Sequence, residues 1–166
     1  MRIKKKSRVL VVVGLLSVVL GLSACEGEPS VMEPAVEDDS VLAAMDATIQ
    51  DEFRAELIYQ KVLDDFGSVR PFVNIINAEV RHSEAIARLY VARGLPVPES
   101  RWALNEIPAF PSITDACEAG VQAEIENVGI YDRYFDRSLP ADVRVVFENN
   151  RAASLDKHLP AFQRCS

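Results

Sequence analysis

Two histidines are the whole imidazole complement of this chain. His82 closes an E-x-x-H with Glu79, in Asn77-Ala78-Glu79-Val80-Arg81-His82. His158 closes Ser154-Leu155-Asp156-Lys157-His158, near the end of the sequence. About thirty residues before each histidine stands the same phrase, E-x5-I-Y. It runs from Glu52 to Tyr59 ahead of His82, and from Glu124 to Tyr131 ahead of His158. Carboxylates with imidazoles are ligands for iron, manganese or zinc rather than for soft copper. An oxygen-rich set with two imidazoles suits a pair of iron or manganese ions. A segment with Glu followed by a segment with His, written twice, is the plan of a carboxylate-bridged metal site inside a helical bundle.

The elements that must position these groups are helices. The spacing predicts helix 1 from Val41 to Phe66, with Ser40 as cap and Gly67 as terminator. Its apolar seam is Leu42, Met45, Ile49, Tyr59, Leu63 and Phe66, and the same spacing lands on Glu52 and Glu56 in the middle. Helix 2 is expected from Val69 to Arg93, capped by Ser68, with Pro71 in its first turn and Gly94 after it. Its seam is Phe72, Ile75, Glu79, His82, Ile86 and Leu89. Residues 94–111 carry four prolines and read as a long crossover. Helix 3 starts at Ile113 behind Ser112 and Asp115, which resemble a capping box. Its seam is Cys117, Val121, Glu124, Val128, Tyr131 and Phe135. Helix 4 runs from Pro140 to Gln163 with Val143, Phe147, Leu155, His158 and Phe162 inward, and Pro160 is expected to kink or fray its last turn.

In an antiparallel pair, residues equally far from the turn lie at one height. Glu52 is 15 residues before Gly67 and His82 is 15 after it. Glu79 is one turn from His82 on the same face. Glu124 is about 15 residues before the second turn and His158 about 18 after it. Each hairpin thus brings a carboxylate level with an imidazole. An uncompensated carboxylate in an apolar core costs several kcal/mol. Glu52, Glu79 and Glu124 must therefore be compensated by buried arginine, protonated, or bound to metal. Tyr59 and Tyr131, two turns from their glutamates, are expected to pack the core rather than act as redox residues.

The pattern resembles the ferritin-like di-iron carboxylate bundles, in which one helix of each pair gives a Glu and the other an E-x-x-H. More specifically, residues 41–165 resemble an uncharacterised bacterial ferritin-like domain family. The stretches that carry the likeness are Asp51-Glu52-Phe53-Arg54-Ala55, Ala78-Glu79-Val80-Arg81-His82, Ala123-Glu124-Ile125-Glu126, and Ala153-Ser154 with His158-Leu159-Pro160-Ala161-Phe162. The resemblance implies an all-α, ferritin-like four-helix bundle made of two antiparallel hairpins joined by a long crossover. It implies Glu52, Glu79, His82, Glu124 and His158 as metal ligands. One position departs from the family plan, which wants Glu three residues before His158, where this chain has Leu155. A single metal or a lopsided pair is therefore in play beside a symmetric di-iron centre, with Asp156, Glu126 or water completing it. Glu56 is placed beside the ligand set or at the mouth of a groove. The expected function is redox chemistry at iron or manganese toward oxygen or peroxide, or metal handling. The alternative is a metal-free bundle serving as a structural or protein-binding module.

The leader bounds the setting. Five Lys and Arg lie within the first eight residues, and Val9–Leu22 is an almost wholly apolar run. It is short for a membrane span of about 20 residues and ends in Leu22-Ser23-Ala24-Cys25. That resembles a lipoprotein lipobox: residues 1–24 are read as signal peptide and Cys25 as the lipidated residue. Residues 25–39, acidic with Pro29 and Pro34, read as a flexible tether, and 40–166 as the bundle. After Cys25 there remain 13 Lys and Arg against 25 Asp and Glu, a net charge near −12. That argues against nucleic acid and against a basic patch docking on membrane. Attachment is expected through the lipid, in the cell envelope, with the periplasmic face of an outer membrane favoured. Cys117 and Cys165 remain as an even pair. They lie about 22 residues before and 25 after the second turn, so the start of helix 3 and the end of helix 4 should meet in a disulfide. Closing that loop is worth about 4 kcal/mol in the chain-entropy model.

Overall fold

The structure, a computed structural model, describes residues 39–166. The leader, Cys25 and nearly all of the tether lie outside the described residues. No strand occurs among the described residues, which form a helical bundle. Helix α1 spans Asp39–Phe66 and α2 spans Phe72–Ala92. A short 3-10 turn, Leu104–Glu106, interrupts the crossover, and α3 spans Ile113–Phe135. The last helix is α4 (Ala141–Ala153), one π-helical turn (Ser154–His158) and α5 (Leu159–Gln163) in direct succession. No described helix is long and apolar enough to cross a membrane.

Local chemistry sets the ends. Gly67 and Gly94 take positive φ, +80° and +67°, the left-handed conformation that glycine adopts without steric cost. The Ser112 hydroxyl accepts from the Asp115 N–H at 3.1 Å and donates to its carboxylate at 2.5 Å. Two expected caps are corrected. α1 already includes Asp39 and Ser40, so Ser40 is inside the helix. Residues 69–71 form the turn before α2, so Pro71, not Ser68, holds the capping position.

α1 also holds down the crossover. Gln50 Nε2 donates to the Glu99 carbonyl (2.8 Å) and its Oε1 accepts from the Arg101 N–H (2.9 Å). The Arg101 guanidinium grips Asp46, and Arg54 lies over the Trp102 ring. At the bundle's far end, a disulfide joins Cys117 of α3 to Cys165 just past α5, with Cα atoms 5.8 Å apart.

The apolar core is in two pieces. One is built on Val41, Met45, Ile49, Ile86, Leu89, Val143 and Phe147. The other is built on Val62, Phe72, Ile75, Cys117 and Phe162. The polar residues of the helical seams, Glu52, Glu79, His82, Glu124 and His158, lie at intermediate positions along the helices, and all are buried. Close approach of α3 and α5 depends on Gly120, where a Cβ would stand 2.6 Å from the Phe162 ring.

The last helix departs from the expected seam. Leu155 is 37% exposed, while Ser154 is fully buried. Inward positions run Asn150, Ser154, His158, Phe162, at steps of four. On a straight α-helix of 3.6 residues per turn each such step drifts by about 40°. A π turn holds more residues per turn and removes that drift. It comes immediately before Pro160, whose ring would strike the carbonyl of Asp156 in a regular α-helix and which has no N–H to offer it. Pro160 thus goes with an under-wound turn, and the helix continues past it.

Candidate metal centre

α1, α2, α3 and the π turn each contribute to one buried layer. Glu52 comes from α1, Glu79 and His82 from α2, Glu124 from α3 and His158 from the π turn. Their relative exposures are 0, 1, 8, 2 and 4% respectively. Glu79 is at the centre. Its Oε2 is 2.9 Å from His82 Nδ1, and its Oε1 is 3.0 Å from His158 Nδ1. Glu52 Oε2 lies 3.4 Å from His82 Nδ1 and Glu124 Oε2 lies 3.5 Å from His158 Nδ1. The two imidazoles stack, with centroids 5.4 Å apart and planes inclined by 21°. Two donor triads result, Glu52–Glu79–His82 and Glu79–Glu124–His158, each with ligand atoms within 4.8 Å of one another. Glu79 belongs to both.

The tyrosines of the repeated phrase cross over. Tyr59 of α1 donates to Glu124 Oε1 at 2.7 Å, and Tyr131 of α3 donates to Glu52 Oε1 at 2.5 Å. Each E-x5-I-Y phrase therefore holds the glutamate of the other. Both tyrosines are fully buried and pack in the two core clusters, as expected, and their hydroxyls also reach the glutamates. Burial, and then the carboxylate charges, push both phenols well above their ordinary pKa and keep them as donors.

Around Glu52 and Tyr131 there is an amide and hydroxyl network. Asn127 Nδ2 donates to Asp51 Oδ2 (2.8 Å) and to Glu52 Oε1 (3.2 Å). Ser154 Oγ donates to Asn127 Oδ1 (2.8 Å), and Asn150 Nδ2 donates to the Tyr131 hydroxyl (3.1 Å). Asn127, Asn150 and Ser154 were not anticipated as site residues. Their signal was spacing: Asn127 is three residues after Glu124, and Asn150 and Ser154 lie eight and four before His158. Glu56 is half-buried beside the layer and accepts from Ser83 Oγ at 2.5 Å. Glu126 and Asp156, expected as extra ligands, are exposed and outside the buried layer. Asp156 lies on the exposed side of the π turn, and Glu126 lines the opening between α1 and α3.

The electrostatics ask for positive charge. Burial raises the Glu52 carboxyl, against the neighbouring imidazole. Burial pushes Glu79 the same way, but His158 and His82 outweigh it and hold this carboxyl below its usual range. Burial alone would lower both histidines, yet hydrogen bonds to the glutamates win. His82 rises to about 10 and His158 to about 9. Burial lifts the adjoining Asp51 to about 6. Three carboxylates against two imidazoles make this buried layer rich in oxygen donors. Glu52 Oε2, Glu79 Oε1 and His158 Nδ1 are buried without a hydrogen bond of good geometry, although each lies within 3.5 Å of another polar atom of the layer. Buried polar atoms are rarely left so. A divalent cation in each triad would satisfy those atoms and neutralise the carboxylates, so the donor set fits a metal.

A narrow passage, with room for about one water-sized molecule, runs between α1 and α3 to the centre. Its walls include Asp51, Arg54, Tyr59, Glu79 and Glu124.

No family model and no curated protein matches the chain. Its fold is similar to the crystal structure of a conserved hypothetical protein from Mycobacterium tuberculosis. The TM-score is 0.67 and the identity 17%, over 78% of this chain and 99% of that one. At that identity the likeness concerns the fold alone.

Proposed function

We propose that this chain is a ferritin-like, carboxylate-bridged metal protein that holds two iron or manganese ions. Glu52 and His82 would hold one ion, Glu124 and His158 the other, and Glu79 would bridge them. The observation that carries this reading is the position of Glu79, one carboxylate oxygen toward each histidine. A bound pair of iron or manganese ions supplies electron-transfer chemistry toward oxygen or peroxide. Tyr59, Tyr131 and Asn127 orient Glu124 and Glu52 by donating to one oxygen of each, which would leave the other oxygen for a metal. The passage between α1 and α3 has room for a molecule the size of water, which suits a small oxidant. On the sequence, the leader and Cys25 would anchor this chemistry to a membrane of the cell envelope through lipid.

Anaerobic titration of the full-length chain with Fe(II) or Mn(II), followed by calorimetry, tests the reading. Two ions per chain are expected, falling to one in Glu52→Gln or Glu124→Gln and to none in Glu79→Ala. Binding of no ion, or binding indifferent to Glu79→Ala, would contradict it.

A second reading has its own support. The two raised histidines offer the glutamates compensation without metal. The bundle would then be a structural or protein-binding module with a charged core layer. The same titration would show no saturable metal binding in that case.

A further inference from the structure

Beside the mouth of the passage lies a second, larger concavity. It is a groove of about 760 Å3 between the crossover and the outer faces of α1 and α3. That volume is in the range of small-molecule sites, about 300–1,000 Å3. One wall is helical, with Ile58 of α1 and the small Ala123 of α3. The other is the crossover, with Trp102 and Phe110. The apolar part of the lining is Ile58, Ala123, Trp102 and Phe110, with Ile107 and Pro108 beside them. Arg54 and Ala123 line both the groove and the passage, so the two spaces share a wall.

The charges in the groove are unevenly engaged. Arg101 is tied to Asp46 by two contacts, at 2.8 and 2.6 Å. Glu106 closes its own 3-10 turn by accepting from the Ala103 N–H at 3.0 Å. Arg54 differs. Its guanidinium carbon stands 5.4 Å from the centre of the Trp102 ring, and none of the ion pairs among the described residues includes it. A guanidinium stacked on an indole is oriented by the stack while the N–H groups on its edge remain able to donate. Those N–H groups match a carboxylate, which a guanidinium binds in bidentate fashion. Glu126 and Glu106 are opposing charges in the groove, and Asp51 shares the field of Arg54; together they weaken the attraction for an anion.

We infer that this groove binds a small aromatic carboxylate, its ring against Phe110, Ile58 and Ala123 beside the Arg54–Trp102 stack and its carboxylate on the edge of Arg54. The site is distinct from the buried Glu and His layer and does not depend on metal being bound there. An occupant would lie against the entrance to the passage.

Trp102 is the only tryptophan in the chain, so its fluorescence reports occupancy directly. The full-length chain, treated with chelator, is titrated with trans-cinnamate and, in parallel, with the neutral cinnamyl alcohol. Saturable quenching by cinnamate is expected, at least tenfold tighter than for the alcohol. Arg54→Gln should weaken cinnamate at least tenfold and leave the alcohol nearly unchanged. Glu126→Gln should tighten cinnamate several-fold, the opposite sign. Glu79→Ala should leave cinnamate binding as it was, so loss of the metal reading does not carry this one with it. Equal response to acid and alcohol, or cinnamate binding unmoved by Arg54→Gln, would overturn the assignment. So would the lack of a saturable signal. Arg54 and Glu126 are not core residues, and unchanged circular dichroism melting in both variants keeps a null result interpretable.

Discussion

At the scale of residues, two of the three buried carboxylates have one oxygen held by donors from the neighbouring helix. Glu52 Oε1 receives the Tyr131 hydroxyl and the Asn127 amide, and Glu124 Oε1 receives Tyr59. Removing one donor from a buried charged acceptor costs about 1–3 kcal/mol. Tyr59→Phe and Tyr131→Phe should both lower the urea midpoint of the metal-free chain by that order. Tyr131→Phe should cost more, because Asn150 also loses its acceptor and is left with a 3.4 Å contact to the His82 carbonyl. Equal melting of wild type and both variants would show that the hydroxyls carry no energetic weight. The buried glutamates and histidines were readable in sequence because Glu and His at apolar seam positions are conspicuous. The crossed tyrosine bonds were not, because a tyrosine at a seam position satisfies a packing pattern whether or not its hydroxyl finds a partner. The small amide and hydroxyl groups of Asn127, Asn150 and Ser154 gave no such contrast with a solvated face.

At the scale of elements, the last helix is where sequence periodicity misled. A regular 3.6-residue period puts Leu155 inward with His158 and makes the missing glutamate look like a lost ligand. The π turn instead turns Ser154 inward and leaves Leu155 37% exposed. Leu155→Glu should therefore leave metal stoichiometry unchanged in calorimetry, although it writes the full E-x-x-H. A gain of affinity or of a further ligand signature in that variant would show that the helix winds as a plain α-helix. The helical hairpins themselves were legible, since their glycine stops and apolar seams are local signals. Helix contact at Gly120 is a second test. Alanine there would gain about 0.5–1 kcal/mol of helix preference. Its Cβ, 2.6 Å from the Phe162 ring, would cost about 1–3 kcal/mol by overpacking. Phe162 is fully buried against Tyr59 and Phe72 and cannot move aside cheaply. Gly120→Ala should lower the melting temperature, and a rise would mean that α3 and α5 stand further apart.

At the scale of the whole molecule, a charged layer divides the apolar core and ties folding to cations, whether protons or metal. In the metal-free chain the histidines rise from 6.5 to about 10 and about 9 in the folded state. A raised folded value contributes stability that is complete below the unfolded value and is lost as pH climbs through the folded one. Stability of the metal-free chain should therefore fall between pH 6.5 and about 10, by a few kcal/mol. Metal displaces those protons, so loading should flatten the profile and release protons on binding, measurable by calorimetry in buffers of different ionisation enthalpy. A flat profile in the metal-free chain would mean that the imidazoles are neutral in the fold. The most direct test of the central claim is crystallography of the full-length chain loaded with Mn(II), recorded at the manganese edge. Two anomalous peaks should flank Glu79, one among Glu52, Glu79 and His82 and the other among Glu79, Glu124 and His158. A crystal with no manganese in this layer, or with metal bound only at sites that Glu79 does not touch, would contradict it.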